Sequence, residues 1–139
     1  MIQEETELLL KDLCARLPYG VKIRVNDKIE TVEGINILDN IVEFGTYMAC
    51  DIDEVKPYLF PMSSMTDEQW RELFATAGYE VREEDCGRHT EMYYYQLVGH
   101  ENELYPNSDA IDWLNKNHFD YRGLIEKGLA LDATGKDIY

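Results

Sequence analysis

The chain has 139 residues, 45% hydrophobic and 12% aromatic, enough apolar material for one folded domain and too much for a disordered polypeptide. Its 28 acids against 13 bases give a net charge of −15, which argues against direct binding to nucleic-acid phosphates or anionic membranes and favours basic partners. Cys14, Cys50 and Cys86 are widely spaced and odd in number, so a cytoplasmic location is expected and a disulfide framework is not.

Residues 2–17 predict an amphipathic helix, with Leu9, Leu13 and Leu17 on one stripe and Leu10 and Cys14 beside it. Glu4, Glu5 and Glu7 suit the positive end of its dipole, Arg16 suits the negative end, and Pro18-Tyr19-Gly20 stops it. The first residues are acidic where a signal peptide would be basic, and no apolar run approaches membrane-spanning length. Short strands follow. Val21, Ile23 and Val25 alternate with polar residues, and Asn26-Asp27 turns into a strand over 29–35 that Gly34 bends or bulges. Asp39-Asn40 turns into 41–44, and Gly45-Thr46 turns into 47–52. Four such strands predict a strongly bent antiparallel sheet or a small SH3-like barrel.

Residues 51–65 (DIDEVKPYLFPMSSM) divide this strand-rich half from a helix-rich one. Pro57 and Pro61 hold φ and remove two backbone donors, so the stretch reads as an extended connector, neither helix nor central strand. Tyr58, Leu59, Phe60, Met62 and Met65 are too apolar to leave in water, which makes the connector an interior seam for both halves. Thr66 then caps a second helix, with Gln69 as its capping-box partner, Met65 stapling onto Trp70, and Trp70, Leu73, Phe74 and Ala77 facing inward up to Gly78. Residues 79–82 and 91–98 predict an additional β-hairpin. Residues 108–118 predict a third helix with Ile111, Leu114 and His118 on one face. Asp120 is placed to cap a short fourth helix ending at Lys127-Gly128, and residues 133–139 read as a loose tail. The fold class is therefore α+β, in a single compact domain over 1–139.

Little in the chain points to bond-making chemistry. Cys86 and His89 have half of a zinc-site spacing, but Cys14, Cys50, His100 and His118 supply no second pair. Glu83, Glu84 and Asp85 precede Cys86 and disfavour its thiolate; Cys14 lies on an apparent core face, and Cys50 sits between Ala49 and Asp51 in a strand. Asp51 and Asp53 are expected on one strand face, without a phosphate cradle or EF-hand loop beside them. Tyr93, Tyr94 and Tyr95 lack the Lys and Arg that frame base-stacking platforms. No catalytic, metal or cofactor-binding residue is assigned.

Three stretches together are distinctive: 11–21 (KDLCARLPYGV), 55–66 (VKPYLFPMSSMT) and 112–130 (DWLNKNHFDYRGLIEKGLA). On them the chain resembles a family of small uncharacterised proteins from gut bacteria, their phages and mobile elements. It departs from that pattern at Phe60, where a basic residue is common, and in an expanded acidic, tyrosine-rich stretch over 80–105. The resemblance implies an accessory cytoplasmic protein and carries over no catalytic residue.

Charge and resemblance lead to the expectation of a non-enzymatic protein-binding factor whose partner is a basic, nucleic-acid-binding host protein. Lys56, Tyr58, Tyr93, Tyr95, Tyr121 and Arg122 are its candidate contacts. Two alternatives stay open: a small hydrolase or nuclease using a divalent metal at Asp51, Asp53 or residues 83–85, and a virion or assembly component.

Overall fold

A computed structural model describes residues 1–78 and 108–139. The hairpin expected over 79–98, with Tyr93, Tyr95, Cys86 and His89, lies outside the described residues. The elements that carry local signals form as their sequences dictate. Helix α1 spans Gln3–Arg16, and Gly20 closes the following 3-10 turn, Leu17–Tyr19, in the left-handed conformation at φ +68°. Strands β1 (Lys22–Val25), β2 (Lys28–Asn36), β3 (Ile41–Phe44) and β4 (Met48–Asp51) form an antiparallel meander. Asn26 and Asp27 both take positive φ, the two-residue geometry whose twist matches its flanking strands. The β2–β3 register slips between Val32 and Gly34, so Gly34 does mark a bulge.

Helix α2 (Asp67–Thr76) starts on the capping box read from the sequence. The Thr66 N–H donates to Gln69 Oε1 at 2.8 Å, and the Gln69 N–H donates to Thr66 Oγ1 at 3.2 Å. Helix α3 spans Ser108–Lys116, shorter than expected because His118 adopts φ +62° and turns the chain out of the helix.

The connector is where sequence and structure part. Residues Lys56–Pro61 form β5, which lies inside the sheet, paired antiparallel to β1 and parallel to β6 (Phe119–Asp120) and β7 (Leu131–Asp132). The prolines stand near its ends, Pro57 in register with Ile23 and Pro61 with Asp120, and Lys56, Tyr58, Leu59 and Phe60 carry the rest of the pairing. The Phe60 N–H donates to the His118 carbonyl at 2.8 Å, and the Leu59 carbonyl accepts from the Ala133 N–H at 2.8 Å. The expectation of a seam holds in packing terms: Leu59 belongs to a core with Leu9, Leu13, Ile23 and Leu124, while Phe60 packs on a second with Trp70, Leu73, Trp113 and Leu114. Successive strand residues point to opposite faces, so one short strand serves both cores.

The strand order is β4-β3-β2-β1-β5-β6, with β7 also on β5, giving a mixed, seven-stranded open sheet in place of the expected barrel or strongly bent sheet. β1 uses its second edge on β5, and β5 takes parallel partners, so among the described residues no strand returns to close on β4. Two smaller expectations also change. The fourth helix is a turn, although Asp120 caps it as foreseen, its carboxylate accepting from the Leu124 and Ile125 N–H groups at 2.9 Å each. The expected loose tail is tied down. Ala133 is fully buried, and the Tyr139 hydroxyl accepts from the Lys22 N–H and donates to the Tyr58 carbonyl, both at 2.8 Å. That hydroxyl bridges β1 and β5 just beyond their paired residues.

Candidate functional site

Three places in the described structure hold unusual chemistry. The first is a buried ion cluster built by α1 and the turn after β6. Asp12 and Arg16 are both fully buried. The Asp12 carboxylate accepts from Arg16 Nε at 3.0 Å and from Arg122 Nη1 at 2.8 Å, and Arg16 Nη2 donates to the Phe119 carbonyl at 2.6 Å. Tyr121 lies with its ring 5.4 Å from the Arg16 guanidinium and 4.6 Å from that of Arg122, and its hydroxyl donates to Asn115 Oδ1 at 2.9 Å. Burial holds the Tyr121 hydroxyl above its usual pKa. The cluster fastens α1 to β6, with Arg16 Nη1 buried and without a hydrogen-bond partner.

Of the residues singled out for partner contact, Tyr58 is thus a buried strand residue with Lys136 Nζ 5.5 Å above its ring, and Lys56 is a half-buried one. Arg122 is 15% exposed and paired with Asp12, and Tyr121 is half-buried beside it. The structure brings Tyr121 and Arg122 together and leaves Lys56 and Tyr58 apart from them, in β5. Sequence reading missed Asp12 and Arg16. Their signal was present: positions 9, 12, 13 and 16 form one helical arc, with an i,i+4 charge pair inside an apolar stripe.

The second place is a cleft of about 510 Å³ at the N-terminus of α2, lined by Ser64, Thr66, Gln69, Lys116, His118 and Tyr139 among others. His118 is 7% exposed and stacks on the Tyr139 ring at 3.7 Å. Burial, reinforced by the Arg16 and Lys22 charges, pushes its pKa down to about 4, so the ring is neutral near pH 7. The polar groups at α2 are mutually occupied by the capping box, and Asn117 Nδ2 donates to the Trp113 carbonyl at 2.9 Å.

Nucleophilic and metal chemistry find little support in the described residues. Burial raises the thiol pKa of both Cys14 and Cys50, and at Cys50 the carboxylates of Glu54 and Asp51 add to it. β4 ends at Asp51 and Asp53 falls in the next 3-10 turn, Ile52–Glu54, so the two do not share a strand face as expected. The Asp51 N–H instead donates to Glu54 Oε2 at 3.2 Å. Among the described residues no three His, Cys, Asp or Glu side chains gather in a group that could hold a metal ion. No helix among them is long and apolar enough to cross a membrane.

The third place is the outer edge of the meander. Residues 28–54 contain seven acids (Glu30, Glu33, Asp39, Glu43, Asp51, Asp53, Glu54) and one base (Lys28), a net −6, whereas residues 1–27 hold five acids and four bases, a net −1. The strands and turns of this segment expose apolar side chains: Ile29, Ile37, Leu38, Tyr47 and Met48 are all more than half in solvent. An anionic field over exposed aliphatic and aromatic groups suits a protein surface better than a small polar ligand. No family model, curated protein or solved structure matches the chain.

Proposed function

We propose that this chain is a non-enzymatic accessory protein, of the phage or mobile-element kind its three motifs resemble, that binds a basic, nucleic-acid-binding protein through its acidic exterior. The observation that carries this reading is the concentration of charge in residues 28–54, net −6, a segment whose strands and turns also expose Tyr47, Leu38 and Met48. Carboxylates spaced over a sheet present a field that a nucleic-acid-binding surface is built to meet, and exposed apolar groups supply contact area once the partners touch. The buried Asp12–Arg16–Arg122 cluster contributes rigidity to this reading, with no place in the contact itself.

The test is capture from host lysate on the immobilised chain across a salt series, with heparin as a competing polyanion. Basic proteins retained at low salt and displaced by heparin support the reading. Recovery of no basic protein at low salt, or retention indifferent to heparin, overturns it.

A further inference from the structure

We propose that β4 is a docking edge for an extended basic segment of another protein, which adds to the sheet as a strand with Lys or Arg at alternate positions. This role rests on the reading above that the partner is a basic protein. It names where and in what conformation that partner binds.

β4 stands at the end of the strand order and, among the described residues, pairs with β3 alone, so one row of its backbone N–H and C=O groups faces away from the sheet, the Asp51 N–H of that row being turned to Glu54 Oε2. Its register tells what a further strand would meet. Met48 and Cys50 lie opposite Phe44 and Val42, on the face that carries the core; Ala49 and Asp51 lie opposite Glu43 and Ile41, on the other face. Along the core face cover runs out toward the edge: Val42 and Phe44 are buried, Cys50 is half-buried, and Met48 is 56% exposed. An added strand would therefore place one set of residues against this unfinished apolar face. Its alternate residues would lie beside Ala49 and Asp51; Glu43, one strand further in, leans over Gly34 of β2 and away from the edge. Apolar residues suit the first set and Lys or Arg the second, which is the period-two pattern of a strand.

The ends of the edge add a second observation. Tyr47, immediately before β4, holds φ +61° with its side chain fully exposed. A bulky residue in the left-handed region is strained, and this one recovers no packing in return. At the Asp51 end, Ile37 (63% exposed) and Leu38 (94% exposed) project from the β2–β3 turn. Apolar groups thus bracket an edge that is anionic between them. A second copy of this chain would bring another such edge against the first, and like charges would oppose the pairing.

The probe is a synthetic ten-residue peptide with Lys at every second position and Val between, compared with a peptide of equal charge in which two Val are Pro. Binding is followed by fluorescence anisotropy at low salt, and amide hydrogen exchange reports on β4. The alternating peptide should bind about tenfold more tightly than the proline peptide, which lacks the donors a ladder needs, and should slow exchange at Met48–Asp51. Tyr47→Ser, at a fully exposed position, should weaken binding without loss of fold, and Asp51→Lys should reduce the preference for the Lys-alternating peptide over a Glu-alternating one. Equal binding of the two basic peptides overturns strand addition and leaves the acidic-exterior reading standing. Absence of peptide binding while heparin-sensitive capture persists overturns the β4 edge alone; loss of both overturns both. A dimer in sedimentation that Tyr47→Ser dissolves would make the occupant a second copy and also overturn this assignment.

Discussion

The β1–β4 meander and the junction around β5 belong to one sheet but are held by different means. In the meander each strand pairs with its neighbour in sequence, through turns whose residues are chosen for positive φ, and the outer edge is left acidic and partly apolar. At β5 the partners arrive from far along the chain. Strands β6 and β7 run parallel to it, Arg16 reaches a carbonyl 103 residues away, and the Tyr139 hydroxyl meets a backbone amide 117 residues away. The first region is closed by local geometry at small entropic cost; the second depends on buried polar groups that are costly to leave unpaired. Stability should therefore be concentrated at the junction, and the meander edge should be free to change.

Arg16→Ala probes that difference most strongly. It leaves Asp12 buried with Arg122 alone and removes one of the two donors to the Phe119 carbonyl, which keeps the Tyr121 N–H, so chemical denaturation should show a loss of about 3–5 kcal/mol. Asp120→Ala removes the acceptor of two N–H groups at the turn after β6 and should cost about 2 kcal/mol by the same measurement, with Asp120→Asn milder.

A pH series separates the regions differently. The folded-state pKa of His118, about 4, lies below its ordinary 6.5, so unfolding takes up a proton as pH falls. Its contribution is complete above pH 6.5 and is lost progressively as pH drops toward 4. The Tm difference between wild type and His118→Gln should narrow or reverse over that window. A constant difference would show that the ring titrates normally. The smallest effect belongs to a purely local device: Thr66→Ala removes one capping bond of α2 and should cost about 1 kcal/mol in urea unfolding, with the junction intact.

How far the fold was legible follows the same line. The α2 capping box, the Asn26-Asp27 turn, the Gly34 bulge and the carboxylate cap of Asp120 were all readable, because each is satisfied by residues within a few positions. Asp12 went unread and Arg16 read only as a complement to the helix dipole, because the partners that hold them in the interior, the Phe119 carbonyl and Arg122, lie beyond residue 118. Pro57 and Pro61 read as evidence against a central strand because sequence shows missing donors but not that the strand between them has enough. Tyr139 carried no signal at all, since a single tyrosine in a polar stretch gives no hint that its hydroxyl meets two strands.

Sequence by itself determined the α+β class, the hairpin meander, the capped helices, the anionic balance and the need to bury residues 58–60. Tertiary structure alone decided that β5 is interior, that two charges of α1 are buried and that, among the described residues, the sheet stays open and the acidic strands end in an edge without a further strand. Local hydrogen bonding and side-chain alternation are written in neighbouring residues, whereas burial of a charge or exposure of an edge depends on which surfaces finally meet.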